Sequence, residues 1–461
     1  MEEKKNSQVK NPLREIIDPF INLVKAPRAL WGINLSYLLE GLTYFGILGL
    51  MTIYFNEYIG LNDINAGRMV GILTAGITLS MLFLGGTVDW IGVRKALLIA
   101  LSIMLFGRIT LTIAPQVGSG GLGGTAHSVT MLGVLGIVLG YGIYQPACYT
   151  AIKKFTSAKT AAMGYAMLYA IMNLGGFLPG LISPPVRKSY GILGVYWVLV
   201  ALTAVGIILV AVILSKKTVQ MAIANANEET KEKIKEEKEY EEKQSKKEKI
   251  KYYLKNFPIK DVRFMYFIFI LIPVQTLFAH NWLTLPPYFS RAFTGIVAEN
   301  FEFFVNFNPL LIFILAPMVA VLTAKKDTYK MMIAGTFVMA APTFLLTLGP
   351  NIYTVFGYLI IMTIGEAMWQ PRFLQWVAEI APKNMTGIYM GIGQFPWFLT
   401  KIITSLYSGW FLMNYCPAGV QPEQMNTEKM WFIYGLIAIV SPLALWLTKG
   451  WMGKGMEKKE I

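Results

Sequence analysis

The chain is built from long apolar runs separated by short polar loops. Twelve of these runs reach about 20 residues, the length at which an α-helix crosses the hydrocarbon core of a bilayer. The pattern predicts an all-α integral membrane protein with twelve spans, numbered here in chain order. The runs begin near Ala29, Asn65, Ala96, Ser128, Ala161, Gly191, Phe264, Phe303, Met331, Tyr353, Gly387 and Trp431.

Composition and charge agree with a membrane location. Of the 461 residues 55% are hydrophobic and 15% are charged, too few charges to cover the surface of a soluble protein. The formal net charge of +14 reflects topology, so we expect no nucleic-acid partner. The chain has 41 basic residues. With both ends inside, four of them lie in the outer loops, namely Arg187, Lys188, Arg291 and Lys429, and four lie within spans, namely Arg68, Arg108, Arg372 and Lys401. All the others lie on the inner side. This asymmetry predicts a multi-pass protein of the inner cell membrane with both termini cytoplasmic.

The sequence lacks the usual signatures of catalysis. Its two cysteines, Cys148 and Cys416, lie in different halves and offer no metal site or disulfide framework. A phosphate-binding loop, an HExxH helix and a nucleophile elbow are all missing. We therefore predict no cofactor, no metal and no enzymatic activity.

A charged segment divides the chain into two halves. Within residues 216–260, Glu and Lys recur at four-residue spacing, as at Glu229 and Lys233, which favours a solvated helix. A simple connector and a regulatory segment are the two interpretations of this linker. The predicted regions are a cytosolic tail over 1–28, a six-helix bundle over 29–215, the cytosolic linker over 216–260, a second six-helix bundle over 261–452 and a cytosolic tail over 453–461.

The loop between spans 2 and 3 combines glycines with charges. In GGTVDWIGVRK these positions are Gly85, Asp89, Gly92, Arg94 and Lys95. The glycines permit close helix approach, and the acid and the two bases are expected to form an inner charge network. With the two six-span halves, the loop resembles the major facilitator superfamily. That resemblance implies two bundles rocking about a central path lined by spans 1, 4, 7 and 10.

Other segments resemble the proton-coupled oligopeptide transporter family of that superfamily. They are NFNPLLIFILAP at 306–317, GEAMWQP at 365–371, APKNMTGIYMG at 381–391 and GYAMLYAIMNLGG at 164–176. The resemblance implies a cavity for a small organic solute. Three charged positions differ: the family's acid and arginine of span 1 correspond to Tyr37 and Gly41 beside Glu40, and a basic residue of span 4 corresponds to Gln145.

Ionised side chains at bilayer depth are costly and generally face a wet cavity or one another. Glu40 in span 1 and Glu366 in span 10 are therefore expected to border the path. Glu40 is the predicted proton carrier. The resemblance places Glu366 at the ammonium of the substrate, where it also takes part in proton coupling. Lys401 and Arg372 are candidates for the substrate carboxylate; alternatively, Lys401 pairs permanently with Glu366 and Arg372 snorkels to the inner headgroups.

Span 7 and several other spans contain further polar residues that are candidates for proton transfer, gating or cavity lining. His280 is interpreted as a second proton site or an outer gate, with a hydrogen-bonded structural imidazole as the alternative. Arg108 in span 3 is interpreted as structural. For a set of polar and aromatic residues the sequence allows three roles: lining the cavity, anchoring a span at the membrane interface, or joining helices by hydrogen bonds. The set comprises Tyr44, Tyr141, Gln145, Tyr169, Asn173, Asn281 and Trp369.

These features together predict a secondary active transporter that works as a monomer in the lipid bilayer by alternating access. Its expected cargo is a small zwitterionic solute, peptide-like or amino-acid-like, moved together with protons. The alternatives are an uncoupled facilitator or exporter of another amphiphile, and a receptor that keeps the transporter fold and signals through the linker.

Overall fold

The computed structural model describes residues 27–156, 161–228, 256–323, 326–380, 389, 392–393 and 395–453. Most of both predicted tails lies outside these residues. So do the linker residues 229–255, with Glu229 and Lys233, and the predicted start of span 11 at Gly387. We call the face that carries the start of span 1 the inner face, following the orientation expected from the sequence.

The first half of the chain forms six spans. Gly191, with a φ of 68°, interrupts a long helix, so that the residues before it complete span 5 and those after it form span 6. The helices are Arg28–Glu57 for span 1, Asp63–Leu84 for span 2, Val93–Ile113 for span 3, Thr125–Phe155 for span 4, and Ala161–Phe177 followed by Pro179–Ile213 for spans 5 and 6. Short helices at Thr87–Ile91 and Lys216–Glu228 lie at the inner face.

The second half repeats this arrangement with more broken helices. Span 7 consists of Val262–Ile270, Ile272–Leu283 and Leu285–Ala292; span 8 of Phe301–Val305 and Phe307–Thr323; span 9 of Thr328–Ala340 and the 3-10 segment Ala341–Leu348. Spans 10, 11 and 12 are Ile352–Ile380, Phe395–Tyr415 and Thr427–Leu447. Gly295–Glu299 and Lys449–Gly453 are short helices outside the spans. Within the described residues, nine helices are by themselves long and apolar enough to cross a membrane, and the predicted twelve-span all-α fold is confirmed.

Glycines set the closest helix crossings. A Cβ placed on Gly107 of span 3 would lie 2.6 Å from the carbonyl oxygen of Gly133 in span 4. Gly41 of span 1 similarly approaches the carbonyl oxygen of Met172 in span 5, at 2.8 Å from its would-be Cβ. Gly41 stands where the related family carries a charge, and its role in this chain is to let spans 1 and 5 touch.

Within the described residues the two bundles meet mainly where span 2 packs on span 11, span 5 on span 8 and span 1 on span 7, and span 1 also touches span 8. Small residues bring these spans together. A Cβ on Gly67 would lie 3.3 Å from the carbonyl oxygen of Ser405, and one on Gly180 would lie 3.0 Å from the Cα of Phe303. Each of these positions lies in the outer half of its span, so the bundles are in contact mainly toward the outer face.

A buried ion pair joins the outer ends of spans 2 and 7. Arg291 donates to both carboxylate oxygens of Asp63, at 2.7 and 2.8 Å, and to the side-chain oxygen of Asn56 at 3.2 Å. The two charged side chains are only 11% and 6% exposed. Because a planar guanidinium fits a carboxylate through two parallel hydrogen bonds, this contact fixes both distance and orientation between the bundles.

A second group of contacts joins spans 5 and 8 at the same face. Arg187 forms an ion pair with Glu302, donates to the carbonyl oxygen of Glu299 at 2.7 Å and lies over the ring of Phe301 at 4.6 Å. Lys188 reaches the Glu299 carboxylate at 3.1 Å, with both side chains largely exposed. In the part of the chain that the structure describes, every ion pair between the bundles lies at the outer face. The outer ends of the two bundles are therefore held together in this structure.

We predict that Arg291→Gln shifts the protein toward an outward-open conformation, because it removes the buried pair with Asp63 and leaves that carboxylate without its counter-charge. Spin labels on exposed outer-loop positions 62 and 421 would report the separation of the bundles by electron–electron resonance. The longer-distance population should rise by about tenfold or more, the effect of losing roughly 1.4 kcal/mol or more of closed-state preference.

Lys188→Gln is the matched control, because its exposed pair with Glu299 is worth about 1 kcal/mol or less. Its distance distribution should stay close to that of the wild type. Identical distributions for Arg291→Gln and the wild type would show that the buried pair does not hold the outer face closed.

Candidate functional site

Glu366 lies in the middle of span 10, buried to 5% exposure. Its Oε2 accepts a hydrogen bond from Asn308 Nδ2 of span 8 at 2.8 Å, and the same amide donates to Thr363 Oγ1 at 2.9 Å. No Lys or Arg among the described residues forms an ion pair with Glu366. Among the described residues, the carboxyl group thus has one neutral donor and no counter-charge.

Span 5 of the other bundle faces this carboxyl group. The hydroxyl of Tyr169 is within electrostatic range of Glu366, although Tyr169 itself is 48% exposed. Asn173 donates to the carbonyl oxygen of Tyr169 at 2.9 Å and lies one turn further along the same face. An exposed side chain that faces the opposite bundle borders the space between the bundles. Glu366, Tyr169 and Asn173 therefore come together at the central path.

The path continues along spans 4 and 5 toward the inner face. Gln145 donates to the hydroxyl of Tyr149 at 3.2 Å, and the hydroxyl of Tyr165 donates to the carbonyl oxygen of Tyr149 at 3.3 Å. Both tyrosines are exposed, and Tyr165 lies one turn from Tyr169. This wall offers hydroxyl and amide groups on aromatic surfaces and carries no charge. Tyr149 and Tyr165 were not among the residues expected from the sequence.

The prediction that Glu40 borders the path is wrong for this conformation. Glu40 forms an ion pair with Arg108 of span 3, with Nη1 to Oε2 at 3.0 Å and a second, parallel hydrogen bond. Arg108 also donates to Thr203 Oγ1 of span 6 at 2.5 Å. Glu40 and Arg108 are 2% and 1% exposed. The pair is sealed inside the first bundle, because Arg108 lies on span 3 and its other partner, Thr203, lies on span 6.

Aromatic residues cover the other side of this pair. The rings of Tyr44 and Tyr141 are 4.9 Å apart between their centroids, and Tyr141 is buried close to Glu40. Tyr37 stacks on Tyr144 at 6.1 Å. These rings separate the Glu40–Arg108 pair from the space between the bundles, and only Tyr44 is partly exposed.

Two predicted residues of the second bundle point into its interior. Trp369 is fully buried, and its indole nitrogen donates to the sulfur of Met339 in span 9 at 3.1 Å. It therefore does not line the path, although it lies one helical turn from Glu366. Asn281 is buried in span 7, and its Oδ1 has no hydrogen-bond partner among the described residues.

His280 of span 7 is buried among aromatic rings of spans 11 and 12. Its Nδ1 lies 2.8 Å from Thr284 Oγ1, its Nε2 lies 3.1 Å from the hydroxyl of Tyr407, and its ring stacks on Tyr434 at 3.9 Å. Every one of these contacts is within the second bundle. Thr284 marks the break in span 7 before the segment that carries Arg291. The imidazole thus stabilises the helix break at Thr284 and makes no contact with Glu366 among the described residues.

The two predicted carboxylate binders have different surroundings. Arg372 donates to the carbonyl oxygen of Thr323 at 2.5 Å and to its Oγ1 at 3.2 Å, at the last turn of span 8. Lys401 crosses to the first bundle, where its Nζ lies 3.0 Å from Thr78 Oγ1 and 3.5 Å from the carbonyl oxygen of Thr74 in span 2. The alternative of a permanent Glu366–Lys401 pair is not realised in this structure, because Lys401 binds the opposite bundle.

The inner-loop charges also differ from expectation. Asp89 is exposed and lies 4.0 Å from Lys154 of span 4, while Arg94 donates to the carbonyl oxygen of Ala211 in span 6 at 3.3 Å. Gly92, with a φ of 81°, turns the chain between the short helix and span 3. Gly85 precedes the short helix, and Lys95 is exposed. The predicted network of Asp89 with Arg94 and Lys95 is therefore absent from these described contacts.

Known proteins with similar sequences are peptide transporters. Dipeptide and tripeptide permease A of Proteus mirabilis (strain HI4320) is 26% identical over 196 residues, which cover 41% of this chain and 37% of that protein. Peptide transporter YePEPT of Yersinia enterocolitica subsp. palearctica serotype O:3 (strain YE-P4) is 23% identical over 173 residues, or 36% and 32% of the two chains. The chain therefore matches about a third of the length of these relatives.

Solved structures show the same fold over nearly the whole chain. A crystal structure of peptide transporter POT in complex with sulfate superposes with a TM-score of 0.68 at 18% identity, covering 94% of this chain and 96% of that one. A POT family transporter in complex with 5-aminolevulinic acid gives a TM-score of 0.64 at 16% identity, covering 92% and 97%. At these identities the likeness establishes the fold.

The sequence profile of the Major Facilitator Superfamily matches residues 33–405, more than half of the chain. With the twelve-span fold, this match establishes a multi-pass membrane protein, and the similar proteins are transporters. The chain belongs to the Major Facilitator Superfamily and resembles its proton-coupled oligopeptide transporters.

Proposed function

We propose that this protein is a proton-coupled symporter of a small zwitterionic solute, peptide-like or amino-acid-like, and that Glu366 is the coupling acid. The observation that carries the proposal is the environment of Glu366, a buried carboxyl group between the two bundles without a counter-cation among the described residues. A carboxylate in such a place is costly unless a proton or a cation neutralises it. The ammonium group of a zwitterion and a proton can each do so.

Symport requires that the proton and the solute cross together. A proton on Glu366 keeps the carboxyl neutral while the site loses contact with water, and the carbonyl oxygen of that neutral carboxyl accepts a hydrogen bond from the substrate ammonium. On the less acidic side the proton and the solute both leave the site. A gradient of protons across the membrane thereby biases the direction in which the bundles rock, because protonation is favoured on the acidic side. The names of the relatives, which transport peptides, support a peptide-like cargo.

The proposal also includes the oligomeric state, the membrane orientation and the regions of the chain. We infer that the protein works as a monomer in the inner cell membrane with both termini cytoplasmic, because the basic residues concentrate on the inner face. The two bundles over 29–215 and 261–452, the linker over 216–260 and the tails over 1–28 and 453–461 are the proposed regions. His280 is a proposed outer-gate residue, because it lies beside the break in span 7 below Arg291.

We predict that wild-type protein in proteoliposomes accumulates labelled L-alanyl-L-alanine when the outside is one pH unit more acidic than the inside. For one proton per solute the limit is about tenfold accumulation, because one pH unit is worth about 1.4 kcal/mol. Glu366→Gln should lose this accumulation, since an amide cannot exchange a proton. Glu423→Gln, which changes an exposed acid of an outer loop, is the matched control and should behave as the wild type.

Counterflow without a pH gradient separates coupling from facilitation. A wild type that exchanges solute and never concentrates it would be a facilitator, contrary to the proposal. Driven accumulation that persists in Glu366→Gln would assign the coupling to another residue.

The Glu40–Arg108 pair gives a separate prediction, because we propose that it stabilises the first bundle and does not carry the proton. Glu40→Gln should lower stability by about 3–5 kcal/mol, since it leaves a buried guanidinium unpaired. The double variant Glu40→Gln/Arg108→Met removes both charges and should recover much of that loss. Thermal unfolding is measurable through the buried thiols of Cys148 and Cys416, which react with a dye once exposed.

The double variant should also keep pH-driven accumulation. If it is as stable as the wild type and still exchanges solute, yet has lost the response to the pH gradient, Glu40 takes part in proton transfer.

A further inference from the structure

Lys401 lies at the junction of the two bundles and has no counter-charge among the residues that the structure describes. Its ammonium group has three N–H donors, and two acceptors contact it, both neutral and both in span 2: Thr78 Oγ1 at 3.0 Å and the carbonyl oxygen of Thr74 at 3.5 Å. No carboxylate of the described residues is within ion-pair distance. The residue as a whole is half-buried.

The other cations within the spans are already engaged or lie elsewhere. Arg108 is committed to Glu40 inside the first bundle. Arg372 is held by the carbonyl oxygen and hydroxyl of Thr323 at the end of span 8. Arg68 is exposed near the outer start of span 2. Lys401 alone of these combines a position between the bundles with an incomplete set of partners.

The charges around the path are therefore distributed unequally. The wall contributed by spans 4 and 5 is neutral, with Gln145, Tyr149, Tyr165 and Tyr169. The second bundle contributes both an acid, Glu366 in span 10, and a base, Lys401 in span 11. These two residues do not pair with each other among the described contacts, so an acid and a base are both available to a ligand that carries the opposite charges.

We propose that Lys401 is the residue that recognises the carboxylate of the zwitterionic substrate, with the hydroxyl of Thr78 beside it. This inference rests on the proposed function and adds to it the origin of selectivity: both charged ends of the substrate are bound by the second bundle, and the first bundle supplies hydrogen bonds. A carboxylate at Lys401 supplies the missing counter-charge and takes the unused N–H donor.

The position of Lys401 links recognition to movement. Its present acceptors belong to span 2, so its hydrogen bonds cross between the bundles. A substrate carboxylate that draws the ammonium away from Thr74 removes part of this contact. Substrate binding then favours a different arrangement of spans 2 and 11, because it changes what Lys401 contributes to each state.

The test compares three probes on the detergent-purified full-length protein: L-alanyl-L-alanine, its C-terminal amide and its N-acetyl derivative. Calorimetry gives Kd for each. The wild type should bind the dipeptide about 10-fold to 100-fold more tightly than the amide, the range for losing a charge-assisted contact. In Lys401→Gln the two affinities should become equal, with the affinity for the amide changed by less than about threefold.

Matched variants separate recognition from a structural role. Lys401→Arg keeps the charge and should keep the preference for the free carboxylate. Lys429→Gln, which changes an exposed residue in the first turn of span 12, should behave as the wild type. Discrimination against the N-acetyl derivative should survive in Lys401→Gln and vanish in Glu366→Gln. A purely structural Lys401 would instead lower both affinities by the same factor.

Several results would overturn the inference. If the wild type binds the dipeptide and its amide equally, or if Lys401→Gln keeps the preference, the carboxylate is recognised elsewhere while the proposed symport still stands. The wild-type comparison decides this even if Lys401→Gln does not fold. If the wild type binds none of the probes and fails to accumulate the dipeptide, the proposed function falls together with the inference.

Discussion

The ion pair between Glu40 and Arg108 determines how charge is distributed through the protein. A charge inside a bundle needs a close partner, because the low-dielectric interior penalises an isolated ion. Arg108 meets both oxygens of Glu40 and also binds Thr203, so that one contact ties together spans 1, 3 and 6. It uses an acid and a base of the first bundle and leaves the wall of spans 4 and 5 uncharged. The ionic chemistry of the path then falls to the second bundle.

The contacts between the bundles complete this division. The outer ends are held by Asp63 with Arg291 and by Glu302 with Arg187, whereas Lys401 reaches across the membrane interior to neutral oxygens of span 2. Strong, buried pairs thus close the outer face, and a weaker set of hydrogen bonds crosses the middle. This difference in strength between the outer ion pairs and the central hydrogen bonds suits a protein whose halves separate at one face while they remain in contact along spans 2 and 11.

The sequence was sufficient for the fold, but it did not define which way each helix faces. Hydrophobic runs give span number directly, since length and composition decide whether a helix crosses a bilayer. The sequence does not predict how each helix is rotated about its axis. The surfaces that face lipid and the surfaces that face the bundle are both apolar, so the helix has no amphipathic pattern that distinguishes them. Trp369 shows this: it lies one turn from Glu366 yet packs against Met339. Glu40 likewise belongs to a path-lining span and turns toward span 3.

Contacts between residues that are distant in the chain could not be predicted from the sequence either. Arg108 is 68 positions from Glu40, and Asn308 is 58 positions from Glu366. Asn308 was recognised as part of a family-like segment, but its hydrogen bond to the carboxyl group appears only once spans 8 and 10 are packed together. The break at Thr284 that fixes His280, and the use of Gly41 as a contact between spans 1 and 5, also depend on neighbours that a single sequence does not identify.

The most direct test of the account is the charge moved with each solute molecule. Proteoliposomes adsorbed on a solid-supported electrode, at equal pH on both sides, would receive a sudden pulse of neutral zwitterionic dipeptide. The account predicts a positive current in the direction of solute entry, unaffected by removal of sodium, because a proton accompanies a solute that carries no net charge. Solute entry without any measurable current would contradict proton coupling and leave Glu366 as a binding group alone.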